Sequence, residues 1–371
     1  MTQKKLQFIV HLKGKLMPVD NIAPIILEFS RHFKNSKFLF VSSSEGYSDL
    51  INREIVYKKF FEQDNMKIIS KPYDRNVLKL YYWRIKLILI ILCLMLFNRV
   101  VLIDCSATKI MPRLLIKIQK KIWKGLEVIT NLTPLDVKTR VFYDKLVTKS
   151  YNRPLNETET DYKDLPKKCD LILLSPVEFK KFNSKSKAKV INVGFSRGMP
   201  QWQRFLENIN KNHIGFLESK FIFWPLSIIK VERWGHSFDI SETILNSLIV
   251  LKKERPNLKV IFRYHPTTEI DKFHKILKES EFKNYEISFV HPQILIKKAS
   301  FIFSNVATSL FCDACFLGKP VVQYLPYPNQ AHVMFNKLGE PLKPAYYPTL
   351  DYFMFKENKF RNFLRRKDLL S

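Results

Sequence analysis

A chain of 371 residues, 46% of them hydrophobic, exceeds one ordinary domain and supplies core material for two. Its 62 Lys and Arg against 34 Asp and Glu give a formal net charge of +28, which attracts anionic partners over long range without bearing on the fold. Five scattered cysteines exclude a disulfide framework and fit a reducing compartment, and nine glycines include neither a dinucleotide-type loop nor a Gly-Lys-Ser phosphate loop, which disfavours NAD enzymes and P-loop NTPases.

The chain opens on Met1-Thr2-Gln3-Lys4-Lys5 and passes directly into a strand-like run, so no secretory signal is expected and the cytoplasm is the expected location. Strands are expected near 7–12, 37–42, 66–69, 100–104, 126–130, 170–175 and 190–193, with helices over 22–32, 78–97 and 110–124 between them. The longest apolar run, Leu87 to Phe97, falls short of the roughly 20 residues of a membrane span and reads as a core helix. The polar stretch from Tyr151 to Lys168 reads as an exposed loop. Strand alternating with helix is the pattern of a parallel α/β sheet.

A second series follows: strands near 220–226, 258–263, 286–290, 301–304 and 320–324, with a helix over 240–253. A hinge is expected between Gly194 and Ser219, which divides the chain into domains 1–212 and 213–345 and a tail 346–371. Two strands of this half end in polar groups. Val260-Ile261-Phe262 runs into Arg263-Tyr264-His265-Pro266, and Phe301-Ile302-Phe303 runs into Ser304-Asn305-Val306-Ala307-Thr308-Ser309. Open α/β sheets bind ligands at their carboxyl edge, and a helix begun by Thr308 and Ser309 would present free amides to a phosphate. Gly318 is placed to cap that helix before Pro320 opens the next strand.

In the first half Asp104 ends a buried strand, where a carboxylate can act as a base; Glu45, after the strand over 38–42, is the rival. Cys312 and Cys315 form a Cys-x-x-Cys with no second pair at zinc spacing, so they read as small buried side chains and no metal is expected.

Two doubly wound, Rossmann-like domains facing a cleft, with a nucleotide site in the second, resemble the GT-B glycosyltransferases. The motifs are most similar to those of bacterial sialyltransferases and related capsule-type Kdo transferases that use CMP-activated sugars. Leu102-Ile103-Asp104-Cys105-Ser106 resembles their acidic motif, though without its Gly and second carboxylate. His265-Pro266 resembles their His-Pro, and Thr308-Ser309 their hydroxyl pair. The resemblance implies metal-independent transfer of a sialic, Kdo or other nonulosonic acid from a CMP donor to a surface glycan, in capsule or lipooligosaccharide. It implies Asp104 as base and His265 at the departing phosphate, with Arg263, Pro266, His291, Ser304, Asn305, Thr308 and Ser309 around the donor. A UDP- or GDP-sugar is the alternative donor.

The tail interleaves Phe355, Phe360, Phe363 and Leu364 with Lys356, Lys359, Arg361 and Arg365. Such a basic amphipathic helix suits an anionic membrane that presents a lipid-linked acceptor, or else packs back on the first domain. No recognisable nucleic-acid module is present, so specific nucleic-acid binding is not expected. A carbohydrate-binding module without catalysis would not need two strand-end phosphate features.

Overall fold

The computed structural model describes residues 6–12, 17–42, 47–72, 77–105, 121, 125–132, 169–176, 179, 188–214, 220–226, 229–233, 236–265, 268–305, 308–324, 351–354 and 356–366. Among these, two compact units part between Ile209 and Asn210.

The first unit is built on seven parallel strands: β1 (Leu6–Leu12), β2 (Lys37–Ser42), β3 (Met66–Ser70), β4 (Arg99–Asp104), β5 (Leu126–Asn131), β6 (Leu171–Leu174) and β7 (Lys189–Asn192). They lie in the order β3-β2-β1-β4-β5-β6-β7. Runs such as Phe8-Ile9-Val10 and Phe38-Leu39-Phe40 are apolar at every position because helices cover both faces of the sheet. On one face Phe8 stacks on Phe38 with ring centroids 4.6 Å apart, and Phe29 of α1 (Met17–His32) joins at 5.5 Å. On the other, Ile9, Leu39 and Leu102 meet Ile91 and Met95. Those two side chains come from α4 (Val77–Phe97), which follows the short helices α2 (Tyr47–Arg53) and α3 (Ile55–Phe61).

Helix α1 begins earlier than its sequence pattern suggested, because Pro18 is tolerated in a first turn whose N–H groups have no partner. The core reading of α4 holds for one side only, since its outward side chains Leu78, Tyr82, Ile85 and Leu89 are exposed. The helix expected over 110–124 falls, apart from Lys121, outside the described residues, as does the loop over 151–168. Helix α5 (Pro200–Ile209) ends the unit, with Trp202 and Leu206 buried.

The second unit repeats the plan. Strands β8 (Phe221–Pro225), β11 (Lys259–Arg263), β12 (Tyr285–Ile287), β13 (Phe301–Ser304), β14 (Val321–Tyr324) and β15 (Tyr352–Met354) form a parallel sheet in the order β12-β11-β8-β13-β14-β15. A small hairpin, β9 (Lys230–Arg233) with β10 (His236–Asp239), stands apart from it. Side chains alternate between the two faces as the pleat requires. Ile222, Trp224, Val260, Phe262, Phe301 and Phe303 pack under α6 (Ser241–Glu254), α7 (Ile270–Ser280) and α10 (Glu357–Leu364). Phe221, Phe223, Ile261 and Ile302 meet α8 (Pro292–Lys298) and α9 (Leu310–Phe316).

Helix α10 corrects both expectations for the tail. Its apolar face is not available to a bilayer, because Phe360 and Leu364 are fully buried and Phe363 nearly so. That face packs instead within its own unit. Phe360 lies parallel to Tyr324 at 4.6 Å and to Phe303 at 5.2 Å, within the core of the second unit. Outside that core, Arg361 and Arg365 both donate to the Glu254 carboxylate, at 2.8 and 2.7 Å.

Candidate active site

In a doubly wound sheet the loops diverge where the strand order reverses, and the crevice so formed at the carboxyl ends receives the ligand. In the first unit that point lies between β1 and β4; in the second it lies between β8 and β13.

At the first of these points the parallel register sets His11 of β1 directly beside Asp104 of β4. The imidazole Nδ1 lies 3.2 Å from the carboxylate Oδ1. The His11 side chain is 8% exposed and that of Asp104 30%, so the ring is enclosed while the carboxylate reaches the crevice. Pairing continues one residue further, where the Cys105 N–H donates to the His11 carbonyl at 3.1 Å. Burial pushes the Cys105 thiol up to about 12; a hydrogen bond with Thr130 pulls against this and the Asp104 charge adds to it. Burial likewise raises the Tyr47 phenol far above its ordinary value, helped by Cys105 and Asp20. Both groups therefore stay protonated at neutral pH around the His11–Asp104 pair. Asp104 was found from sequence as a strand-end carboxylate, whereas His11 was missed. Glu45 and Ser106 lie outside the described residues.

In the second unit His265 is exposed, two residues past β11. Its N–H donates to Thr268 Oγ1 at 2.9 Å, and the Thr268 N–H donates back to the His265 carbonyl at 2.9 Å. These bonds tie His265 to Thr268; Pro266 lies outside the described residues. Arg263 donates from Nε to the Val290 carbonyl at 3.0 Å and so ties the β11 and β12 loops together. Thr308 and Ser309, half-buried, precede α9. The Leu310 N–H points to Thr308 Oγ1 at 3.4 Å, while the Ser309 side chain makes no capping bond. Gly318 ends that helix at φ +66, with its N–H on the Cys315 carbonyl at 3.2 Å, as its position suggested.

Three further donor candidates lie inside the protein. His291 is 1% exposed, and its Nδ1 accepts the Gln293 N–H at 3.3 Å to cap α8. Asn305, also buried, donates to Ser247 Oγ at 3.0 Å and to the Tyr324 carbonyl at 2.9 Å, fastening β13 to α6 and β14. Ser304 is buried beside it. His265 thus follows β11, and Thr308 with Ser309 follows β13, the two strands flanking β8, while His291, Ser304 and Asn305 are buried. The cysteines of α9 differ from expectation, since Cys315 is exposed and Cys312 partly so. Among the described residues no group of three or more His, Cys, Asp or Glu side chains is arranged to hold a metal ion.

No protein-family model and no curated protein sequence matches the chain. Solved structures match it in fold. MnaA from S. aureus, solved with UDP, aligns at a TM-score of 0.50 and 13% identity over 88% of this chain and 80% of that one. The wall teichoic acid polymerase TagF aligns at 0.51 and 12% identity, over 99% and 80%. The fold is of the GT-B type. Within it, the His11–Asp104 pair occupies the switch point of the first Rossmann-like unit, and His265 with Thr308 and Ser309 lines the edge of the second.

Proposed function

We propose that this chain is a glycosyltransferase, moving a sugar from a nucleotide donor held by the second unit to a hydroxyl of a glycan acceptor. The His11–Asp104 pair at the switch point carries this reading. Transfer to a hydroxyl requires a group that takes the acceptor proton as the anomeric carbon loses its nucleotide. Asp104, whose carboxylate is 30% exposed, is the group placed to take that proton, as its position at the strand end suggested. The enclosed His11 ring, with Nδ1 3.2 Å from the carboxylate, holds it in place and shares its charge.

On the donor side, His265 follows β11 and the Thr308-Ser309 pair follows β13, the strands on either side of β8. In this reading they meet the departing phosphate, with Arg263 supplying positive charge. In this scheme imidazole, hydroxyl and backbone groups neutralise the departing phosphate without a metal. Uridine is the first base to test, because MnaA was solved with UDP. A CMP-linked nonulosonic acid is the second, supported by the likeness of His265-Pro266 and Thr308-Ser309 to sialyltransferase motifs.

Calorimetric titration with UDP, CMP and GDP selects the donor class. With that donor, His11→Ala and Asp104→Asn are expected to lower turnover by on the order of 100-fold while nucleotide affinity stays nearly unchanged. Wild-type turnover in both variants would overturn the assignment of the pair.

A further inference from the structure

The outward side of α4 has no part in the site described above. This helix of 21 residues contains no Asp or Glu, and its inner side packs on β1, β2 and β4 through Ile91 and Met95. Opposite them Leu78, Tyr82, Ile85, Leu89 and Leu96 recur at helical spacing along one stripe. Their exposures are 78%, 69%, 56%, 56% and 55%. A helix apolar all round is ordinarily covered on every side; here one side faces outward. A groove of about 410 Å³ runs along it, lined by Tyr82, Ile85, Lys86, Leu89, Ile90 and Cys93. Contiguous apolar surface of this kind marks a docking face.

The charges on the helix select the occupant. Lys79 and Lys86 are exposed along one flank of the stripe, while Arg84, exposed on the helix's other side, lies over the Tyr81 ring at 5.9 Å. A second copy of the chain on the same stripe would bring like charges together with no carboxylate on the helix to pair them. An anionic lipid surface satisfies both the apolar stripe and the basic flank. Tyr81 and Tyr82, both exposed, supply the amphipathic rings that settle at the headgroup level. Among the described residues no helix is long and apolar enough to cross a membrane, so α4 would lie in the plane of the surface. We infer that α4 docks the protein on an anionic membrane, with the Leu78–Leu96 stripe in the acyl boundary and Lys79 and Lys86 among the headgroups.

Flotation of the full chain with vesicles of phosphatidylcholine, alone or mixed with phosphatidylserine, tests this. Wild type is expected to float with the mixed vesicles, less so as salt rises. Ile85→Glu/Leu89→Glu should lose at least about tenfold in binding, and Lys79→Gln/Lys86→Gln a similar factor on anionic vesicles only. Because these side chains are exposed, all variants should keep the wild-type thermal unfolding. Undiminished binding by the double Glu variant would overturn the inference. So would a wild type that fails to float, or one that instead forms a dimer which the double Glu variant abolishes.

Discussion

Cys105 follows the carboxylate of the proposed pair directly, and its burial beside Asp104 holds the thiol protonated to about 12. Alkylation at pH 8 should therefore modify the exposed Cys93 and Cys315 readily, with Cys105 on the order of 100-fold slower. Peptide mass spectrometry reads the order, and equal labelling of all three would show that the Cys105 thiol is not held protonated. Half of the pair was readable in advance. Asp104 announces itself as a charge that closes an apolar run, but His11 sits inside one, between Val10 and Leu12. Only the adjacency of β1 to β4, strands separated in sequence by two others, makes it a neighbour of the carboxylate. The same limit governed His291 and Asn305. Their polar character was plain in the sequence, while the helix cap and the strand tie that occupy them depend on tertiary neighbours.

Helix α10 shows how much a pattern leaves undetermined. Its alternation of aromatic and basic residues signals an apolar face in need of cover, but not what provides it. The cover proves to be the core of its own unit, and Glu254 secures the outer side. Hydrogen bonds from Arg365 and then Arg361 draw the Glu254 carboxyl from its ordinary 4.5 down to about 2. A carboxyl depressed on folding stabilises the folded chain above 4.5, and that contribution fades as pH falls toward 2. Glu254→Gln should accordingly unfold at lower denaturant than wild type at neutral pH, with the difference shrinking between about 4.5 and 2. A difference that stays constant on acidification would mean that the ion pairs contribute nothing. Helix α4 misled in the opposite sense. Apolar on every side, it reads as core, yet the sheet covers only one of its sides.

At the level of the whole chain, two units share one strand order, and this was the part most open to reading. Long apolar runs separated by helix-length segments leave few alternatives to parallel sheets covered on both faces. The strands that escaped notice, the β9–β10 hairpin and β15, are three or four residues long and too short to show a period. The net charge of +28 belongs to this level as well. Duplex DNA should be retarded by the protein at low salt and released near physiological salt, as for attraction without base readout. A sequence-selective shift that survives there would point to a nucleic-acid partner instead.

Phe360, Phe363 and Leu364 complete the core of the second unit, whereas every strand of the first has been made by Asn192. During synthesis the half bearing His11 and Asp104 can close while the other still lacks an edge strand and a covering helix. A chain cut before Glu357 would therefore keep every strand of both sheets but leave the second without its covering helix, prone to aggregate through the bare flank where α10 belongs.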